Sequence, residues 1–127
     1  MELKMKRRLF KKGTPIIKEG TLSDCAYIIE SGSVKVSKTL SSGEEQVIGN
    51  LQENEIFGEM SLIDSLPRSA NVVALEDCSV SVMTQESFNS LSQHNPGALM
   101  PVLKVLAIRL RKALEGLEEI ESRNCIT

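Results

Sequence analysis

Two periods of apolar spacing divide this chain. In the first half, short runs of β character, Ala26-Tyr27-Ile28-Ile29, Ser33-Val34-Lys35-Val36-Ser37-Lys38 and Gln46-Val47-Ile48, lie between Glu30-Ser31-Gly32, Ser41-Ser42-Gly43-Glu44 and glycines at 13, 20, 49 and 58. Strict alternation over 33–38 is the mark of a half-buried strand. Glycine supplies the positive φ that the intervening tight turns need. Residues 71–74 and 78–84 predict two more strands joined at Glu76-Asp77, and 79–82 again alternates. Many short strands with frequent turns predict an antiparallel sandwich or barrel. The period then lengthens. Phe88 and Leu91 fall at helical spacing within 85–93, behind Thr84 as N-cap. Asn95-Pro96-Gly97 ends that helix, and Pro101 blurs the start of the next. In the last helix Leu99, Leu103, Leu106, Leu110, Ala113, Leu117 and Ile120 follow alternating steps of four and three, with Leu114 widening the stripe. That is the seam of a coiled coil. Up to about Leu110 the stripe is expected to cover one end of the β-scaffold; beyond it, to pair with a second copy. Gly116 weakens this tail by roughly 1 kcal/mol relative to alanine.

Composition narrows the class. With 127 residues, 41% hydrophobic and 25% charged, the chain is expected to form one domain, a β-roll over about 10–84 followed by helices over about 85–122. A net charge of −2 gives no overall attraction to nucleic acid or membrane. The basic run from Lys4 to Lys12 is expected to be the solvated face of a short N-terminal helix rather than an arm for an anionic partner. Cys25, Cys78 and Cys125 are odd in number and widely spaced, and His94 stands alone. These argue against a zinc site or disulfide framework and for reduced thiols in the cytoplasm. The N-terminus lacks the apolar core of a signal peptide, and no apolar run approaches a membrane span.

Candidate chemistry concentrates in 57–74. Phe57-Gly58-Glu59 opens with a glycine beside a carboxylate, and Pro67-Arg68-Ser69-Ala70 closes on an arginine whose neighbouring proline fixes the backbone. Gly58 lets main chain approach a ligand closely. Glu59 accepts a hydroxyl's hydrogen bond. Arg68 offers parallel donors that match phosphate oxygens, and the Ser69 hydroxyl adds another. Met60-Ser61-Leu62-Ile63 predicts one helical turn whose amides favour an anion. Glu59 and Arg68 are too far apart to share a helix face, so a turn must bring them together. A purely structural role, with Glu59 and Arg68 as a buried ion pair, is the competing reading. There is no Ser/His/Asp set, metal cluster or P-loop, so neither catalytic nor metal-binding residues are assigned, and a binding module is expected rather than an enzyme.

These residues, in this order, resemble the cyclic-nucleotide-binding domain family of the catabolite activator and kinase regulatory subunit type. The likeness runs from about Phe10 to Leu114. Phe10-Lys11-Lys12-Gly13 and Ile17-Lys18-Glu19-Gly20 resemble the family's first strand and turn, and 27–34 its strand-turn-strand signature. Residues 57–59 through 67–70 resemble its phosphate-binding cassette, and 107–111 its last helix. The resemblance implies an α+β, mainly β fold: an antiparallel β-roll (double-stranded β-helix or jelly roll) with a short N-terminal helix and C-terminal helices. It implies that Glu59 takes a ribose 2′-hydroxyl, assisted by Gly58. Arg68 would clamp the cyclic phosphate with Ser69 and the amides of Ser69 and Ala70. The ligand set is then Phe57, Gly58, Glu59, Met60, Ser61, Pro67, Arg68, Ser69 and Ala70. Ser69, where threonine accompanies cGMP preference, points to cAMP.

Two departures stand out. Leu51-Gln52-Glu53-Asn54-Glu55 replaces the family's glycine-acid turn, and Asn54 is expected to take the left-handed conformation in the glycine's place. Where one branch of the family has a Thr-Ser pair meeting adenine, this chain has Ala113 and Leu114, which with Leu110 imply an apolar lid over the base. The expected function is a cytoplasmic cyclic-nucleotide sensor that signals through its C-terminal helix. The alternative is a dimerisation module of the same fold that has lost its ligand. No helix-turn-helix, kinase or channel segment is recognised, so partners are expected to be a cyclic nucleotide, a second copy through the C-terminal helix, and an effector outside this chain. Neither nucleic acid nor membrane is expected.

Overall fold

Residues 6–125 of the chain, with side chains to 116, are described by a computed structural model. In order, the first half forms β1 (Lys6–Phe10), β2 (Pro15–Ile17), β3 (Ala26–Ser31), β4 (Val34–Thr39), β5 (Glu45–Leu51), β6 (Ile56–Phe57), α1 (Glu59–Asp64), β7 (Asn71–Ala74) and β8 (Cys78–Met83). The second half forms α2 (Gln85–His94), a 3-10 turn (Pro96–Leu99) and α3 (Met100–Cys125). The chain falls into two compact units, Met1–Ser90 and Leu91–Thr127.

The strands of the first unit make two antiparallel sheets, ordered β1-β8-β3-β6 and β2-β7-β4-β5. Their inner faces share one core. Tyr27, Ile29, Val80 and Val82 come from the first sheet, and Ile17, Val34, Val72 and Ala74 from the second. Ile29, Val34 and Val80 are fully buried, each contributing about 1.5–3 kcal/mol by leaving water. The expected antiparallel β-roll of a mainly β, α+β chain is therefore found. Predicted strands over 71–74 and 78–84 fall on β7 and β8, and the helical turn after Gly58 on α1.

The N-terminal basic run corrects an expectation. Its described part, Lys6–Phe10, is not a helix but the edge strand β1, paired residue for residue with β8 from Lys6↔Val82 to Phe10↔Cys78. Its charges have specific uses. The Arg7 Nε lies 2.7 Å from the Glu30 carboxylate on β3, which also accepts from the Ser79 hydroxyl at 3.2 Å and from Ser81 Oγ. One carboxylate thus ties three neighbouring strands together. The Ser81 bond first, and the Arg7 charge after it, hold the Glu30 carboxyl below its ordinary range. Arg8 stacks over the Phe10 ring at 5.0 Å, a cation–π contact. Lysine and arginine on an edge strand also discourage pairing with other chains. Lys4 and Met5 lie outside the described residues.

Turn chemistry follows the backbone. Gly32 at φ +97° sits where an added Cβ would lie 2.7 Å from both the Asp77 carbonyl and the Cys78 thiol. Asn54 takes φ 72°, as expected for asparagine standing in for glycine. Thr84 caps α2, its hydroxyl accepting from Ser87 N–H at 3.1 Å.

In the second unit, Pro96 opens the 3-10 turn and Pro101 falls in the first turn of α3, where a missing N–H costs nothing. The helix continues through Gly116. Leu103, Ile108, Leu110 and Leu114 are each more than half exposed. Leu117, Ile120 and Cys125 lie beyond the described side chains.

Candidate functional site

The site is built around Arg68, which is 4% exposed. Its main chain is paired on both sides with the turn after β2: Arg68 N–H donates to the Thr21 carbonyl at 2.9 Å, and Gly20 N–H to the Arg68 carbonyl at 2.8 Å. Its guanidinium donates from Nη1 to the Gly58 carbonyl at 3.0 Å, and from Nη2 to the Cys25 carbonyl at 2.6 Å and the Ser23 hydroxyl at 3.3 Å. These three acceptors are neutral. Nε is buried without a hydrogen-bond partner. A buried, unpaired donor on a cation is costly until an acceptor reaches it. An anion is the acceptor that suits it best.

Gly58 joins the two ends of the segment. It N-caps α1 at φ 80° and ψ 7°, a left-handed conformation that favours glycine. A Cβ there would lie 2.9 Å from Arg68 Nη1, 3.0 Å from the Cys25 carbonyl and 3.2 Å from Ile17 Cδ1. Glu59 follows as the first residue of α1, 4% exposed. A carboxylate in a helix's first turn is favoured by the helix dipole. The expected reversal between Glu59 and Arg68 is made by Ser65 at φ 58°, whose N–H returns to the Ser61 carbonyl, and by Asp64, whose carboxylate accepts from Leu66 N–H at 2.9 Å. Pro67 then leads into Arg68.

The other expected residues are distributed as follows. Phe57 is buried on β6 and stacks on Tyr27 at 5.1 Å. Ser61 is buried, while Met60, Pro67 and Ser69 are exposed and Ala70 is half-buried. The Ser69 hydroxyl donates to the Met60 sulfur at 3.9 Å, a weak bond that a better acceptor can replace. Leu110, Ala113 and Leu114 belong to the second unit, where all three are exposed on α3.

Sequence reasoning missed Ser23 and Cys25. The Cys25 thiol lies 3.6 Å from Ser23 Oγ and 3.9 Å from the Tyr27 hydroxyl. Burial, and next the Cys25 thiol, push the Tyr27 phenol above its ordinary value. A main-chain carbonyl leaves no trace in residue type, so no sequence signal pointed to Cys25. Cys25 and Cys78 are free thiols. Among the described residues no three His, Cys, Asp or Glu side chains converge as a metal site would, and no helix is long and apolar enough to cross a membrane.

A helical turn opens on a left-handed glycine and returns to a buried arginine, set on a two-sheet roll, and its unsatisfied donor has the chemistry that suits a small anion. The family is identified by sequence: the profile of the cyclic nucleotide-binding domain matches residues 7–95, and the chain belongs to that family. It is 37% identical over 121 residues to the cyclic AMP receptor protein of Thermus thermophilus, covering 93% of this chain and 56% of that protein. Over 84 residues it is 34% identical to a cAMP-dependent protein kinase regulatory subunit of Yarrowia lipolytica, covering 66% of this chain and 22% of that one. The crystal structure of Thermus thermophilus catabolite activator protein superposes with a TM-score of 0.87 at 35% identity, covering 92% of this chain and 55% of that one. The chain thus spans about half the length of the curated regulators it matches first.

Proposed function

We propose that this protein is a cytoplasmic cyclic-nucleotide sensor with cAMP as its ligand, and that residues 57–70 act as its phosphate-binding cassette. The observation that carries this reading is the buried Arg68, anchored through three neutral acceptors with Nε unsatisfied. In the proposed complex Nε donates to the cyclic phosphate. The Ser69 hydroxyl leaves the Met60 sulfur for a phosphate oxygen, with the amides of Ser69 and Ala70 beside it. Glu59 accepts from the ribose 2′-hydroxyl, and Gly58 keeps the approach open. The proposed sensor has an equilibrium between two states of the protein, which α3 passes on to an effector outside this chain. Ligand shifts that equilibrium only by its differential affinity for the two states. The relatives named above, a cyclic AMP receptor and a cAMP-dependent kinase subunit, support cAMP over cGMP.

Titration calorimetry with cAMP and cGMP tests the reading. Saturable heat with cAMP is expected, and Arg68→Ala should weaken binding by about 2–5 kcal/mol, roughly 30-fold or more. No saturation with either nucleotide at millimolar levels refutes it. A second reading rests on the exposed Leu103, Ile108, Leu110 and Leu114 of α3: a module that dimerises through this helix and has lost its ligand. Melting at two protein concentrations, with and without nucleotide, separates them. A ligand-dependent midpoint marks the sensor, and a midpoint that follows concentration alone marks the dimerisation module.

A further inference from the structure

Lys38 is a charged residue beside the 57–70 segment that the cassette pattern does not include. It lies near the end of β4, one residue past Ser37, which is paired with Asn71 at the start of β7. Continued antiparallel pairing carries β4 alongside the Arg68-Ser69-Ala70 end of the cassette. The side chain confirms this, because Lys38 Nζ donates to the Ser69 carbonyl at 3.3 Å. An ammonium has three donors, so others remain for a ligand.

The rim around it is fixed by polar bonds between segments distant in sequence. Asn71 Oδ1 accepts from Glu19 N–H at 2.9 Å, and Asn71 Nδ2 donates to the Thr39 hydroxyl at 3.2 Å. Thr39 N–H donates to the Glu19 carboxylate at 3.1 Å. Beside Ser69, then, stand an exposed cation from Lys38 and, one residue further along β4, an acid from Glu19. Lys38 is tethered to the segment that carries Arg68, whereas Glu19 is engaged with a main-chain amide.

We infer that Lys38 acts on the ligand from the rim, a second cation beside the segment that carries Arg68, and sets the ionic-strength dependence of the anion's capture. This rests on the cyclic-nucleotide reading and adds a residue to it. Arg68 makes the short-range bond in a dry site, while Lys38 acts from the solvated rim, where its Coulomb attraction is screened by salt. The screening length falls from about 8 Å at physiological ionic strength to about 3 Å at 1 M. The rim charge therefore matters most in dilute buffer.

The test is calorimetric titration of cAMP into the parent, Lys38→Met and Lys38→Arg, each at low and high salt, with a thermal melt of each variant. Parent binding is expected to weaken with salt. Lys38→Met should bind about 3- to 10-fold more weakly at low salt, converge on the parent at high salt, and melt within a few degrees of it. Lys38→Arg should restore both affinity and salt slope. If Lys38→Met keeps the parent's affinity or its salt slope while the parent binds, Lys38 has no such role and the cassette reading stands. A loss in Lys38→Met that is equal at both salt concentrations assigns Lys38 to holding the Ser69 carbonyl alone, and overturns the inference. A parent that binds no cyclic nucleotide overturns both. Should Lys38→Met fail to fold, Lys38→Gln, which keeps a donor for the Ser69 carbonyl without the charge, gives the same comparison.

Discussion

Replacing Gly58 by alanine should damage fold and site together, and the two costs can be separated. The first is conformational. At φ +80° an L-residue takes the left-handed region, which costs about 1–2 kcal/mol. The second is crowding. The new methyl would meet Arg68 Nη1 at 2.9 Å, the Cys25 carbonyl at 3.0 Å and Ile17 Cδ1 at 3.2 Å. Of these, the guanidinium yields most readily, and in yielding it lengthens the 3.0 Å bond from Nη1 to the Gly58 carbonyl. Forcing a methyl into a packed site costs a further 1–3 kcal/mol or so. The sum, about 2–5 kcal/mol, is a fall in melting temperature of roughly 10 °C or more for a domain of this size. Gly13 supplies the control. Its φ is +86° with nothing within 4 Å of an added Cβ, so Gly13→Ala carries the conformational cost alone. Urea denaturation followed by circular dichroism gives the two stabilities, and titration with cAMP gives the affinities. Gly58→Ala should be less stable than Gly13→Ala by about 1–3 kcal/mol, and it alone should bind the nucleotide more weakly. If the two variants are equally stable, or Gly58→Ala binds as the parent does, the close packing of Arg68 on this glycine does not matter as reasoned.

Two further outcomes follow from titratable groups. The Glu30 carboxyl is depressed by its Ser81 bond and the Arg7 charge, so its stabilising contribution is present above the unfolded value of about 4.3 and lost as pH falls through the lower folded value. The stability gap between parent and Glu30→Gln, measured by urea denaturation, should therefore shrink between neutral pH and pH ~3; a gap that does not change with pH refutes the clamp. The chain has one tyrosine and no tryptophan, so phenolate absorbance reports Tyr27 alone. Its phenol is raised by burial, so its contribution is full below about pH 10 and lost as pH rises through the folded value. Ionisation should begin later than in a free tyrosine and coincide with alkaline unfolding, and ionisation at the ordinary value with the fold intact refutes the buried placement.

Those parts of the fold that alternate visibly were readable in the sequence. Val34–Thr39, Asn71–Ala74 and Cys78–Met83 each lay a buried face on the core and are bounded by turn residues. Asn54 was readable for the same reason, since few residues other than glycine tolerate its φ of 72°. β1 was not, because Lys6, Arg7, Arg8 and Leu9 are exposed on an edge, and a strand with little burial has no alternation to show. Pro15–Ile17 and Ile56–Phe57 are too short for any period. At the candidate site, residue type singled out Gly58, Glu59 and Arg68, and the structure brings Gly58 and Arg68 into contact. The carbonyls of Cys25 and Gly58 that hold the guanidinium are main-chain groups every residue possesses, and Lys38 reaches Ser69 only through the pairing of β4 with β7.

The paired amide and carbonyl of Arg68 with Gly20 and Thr21 bear on how the protein assembles. The grip exists only where a loop from the first sixth of the sequence meets a segment past its midpoint. A nascent or partly unfolded chain, having the residues but not that meeting, has nothing with which to hold a phosphate. In the proposed complex, nucleotide binds the finished roll alone and so shifts the folding equilibrium toward it as its concentration rises. On that proposal, ligand concentration would also set how long the chain itself survives proteolysis.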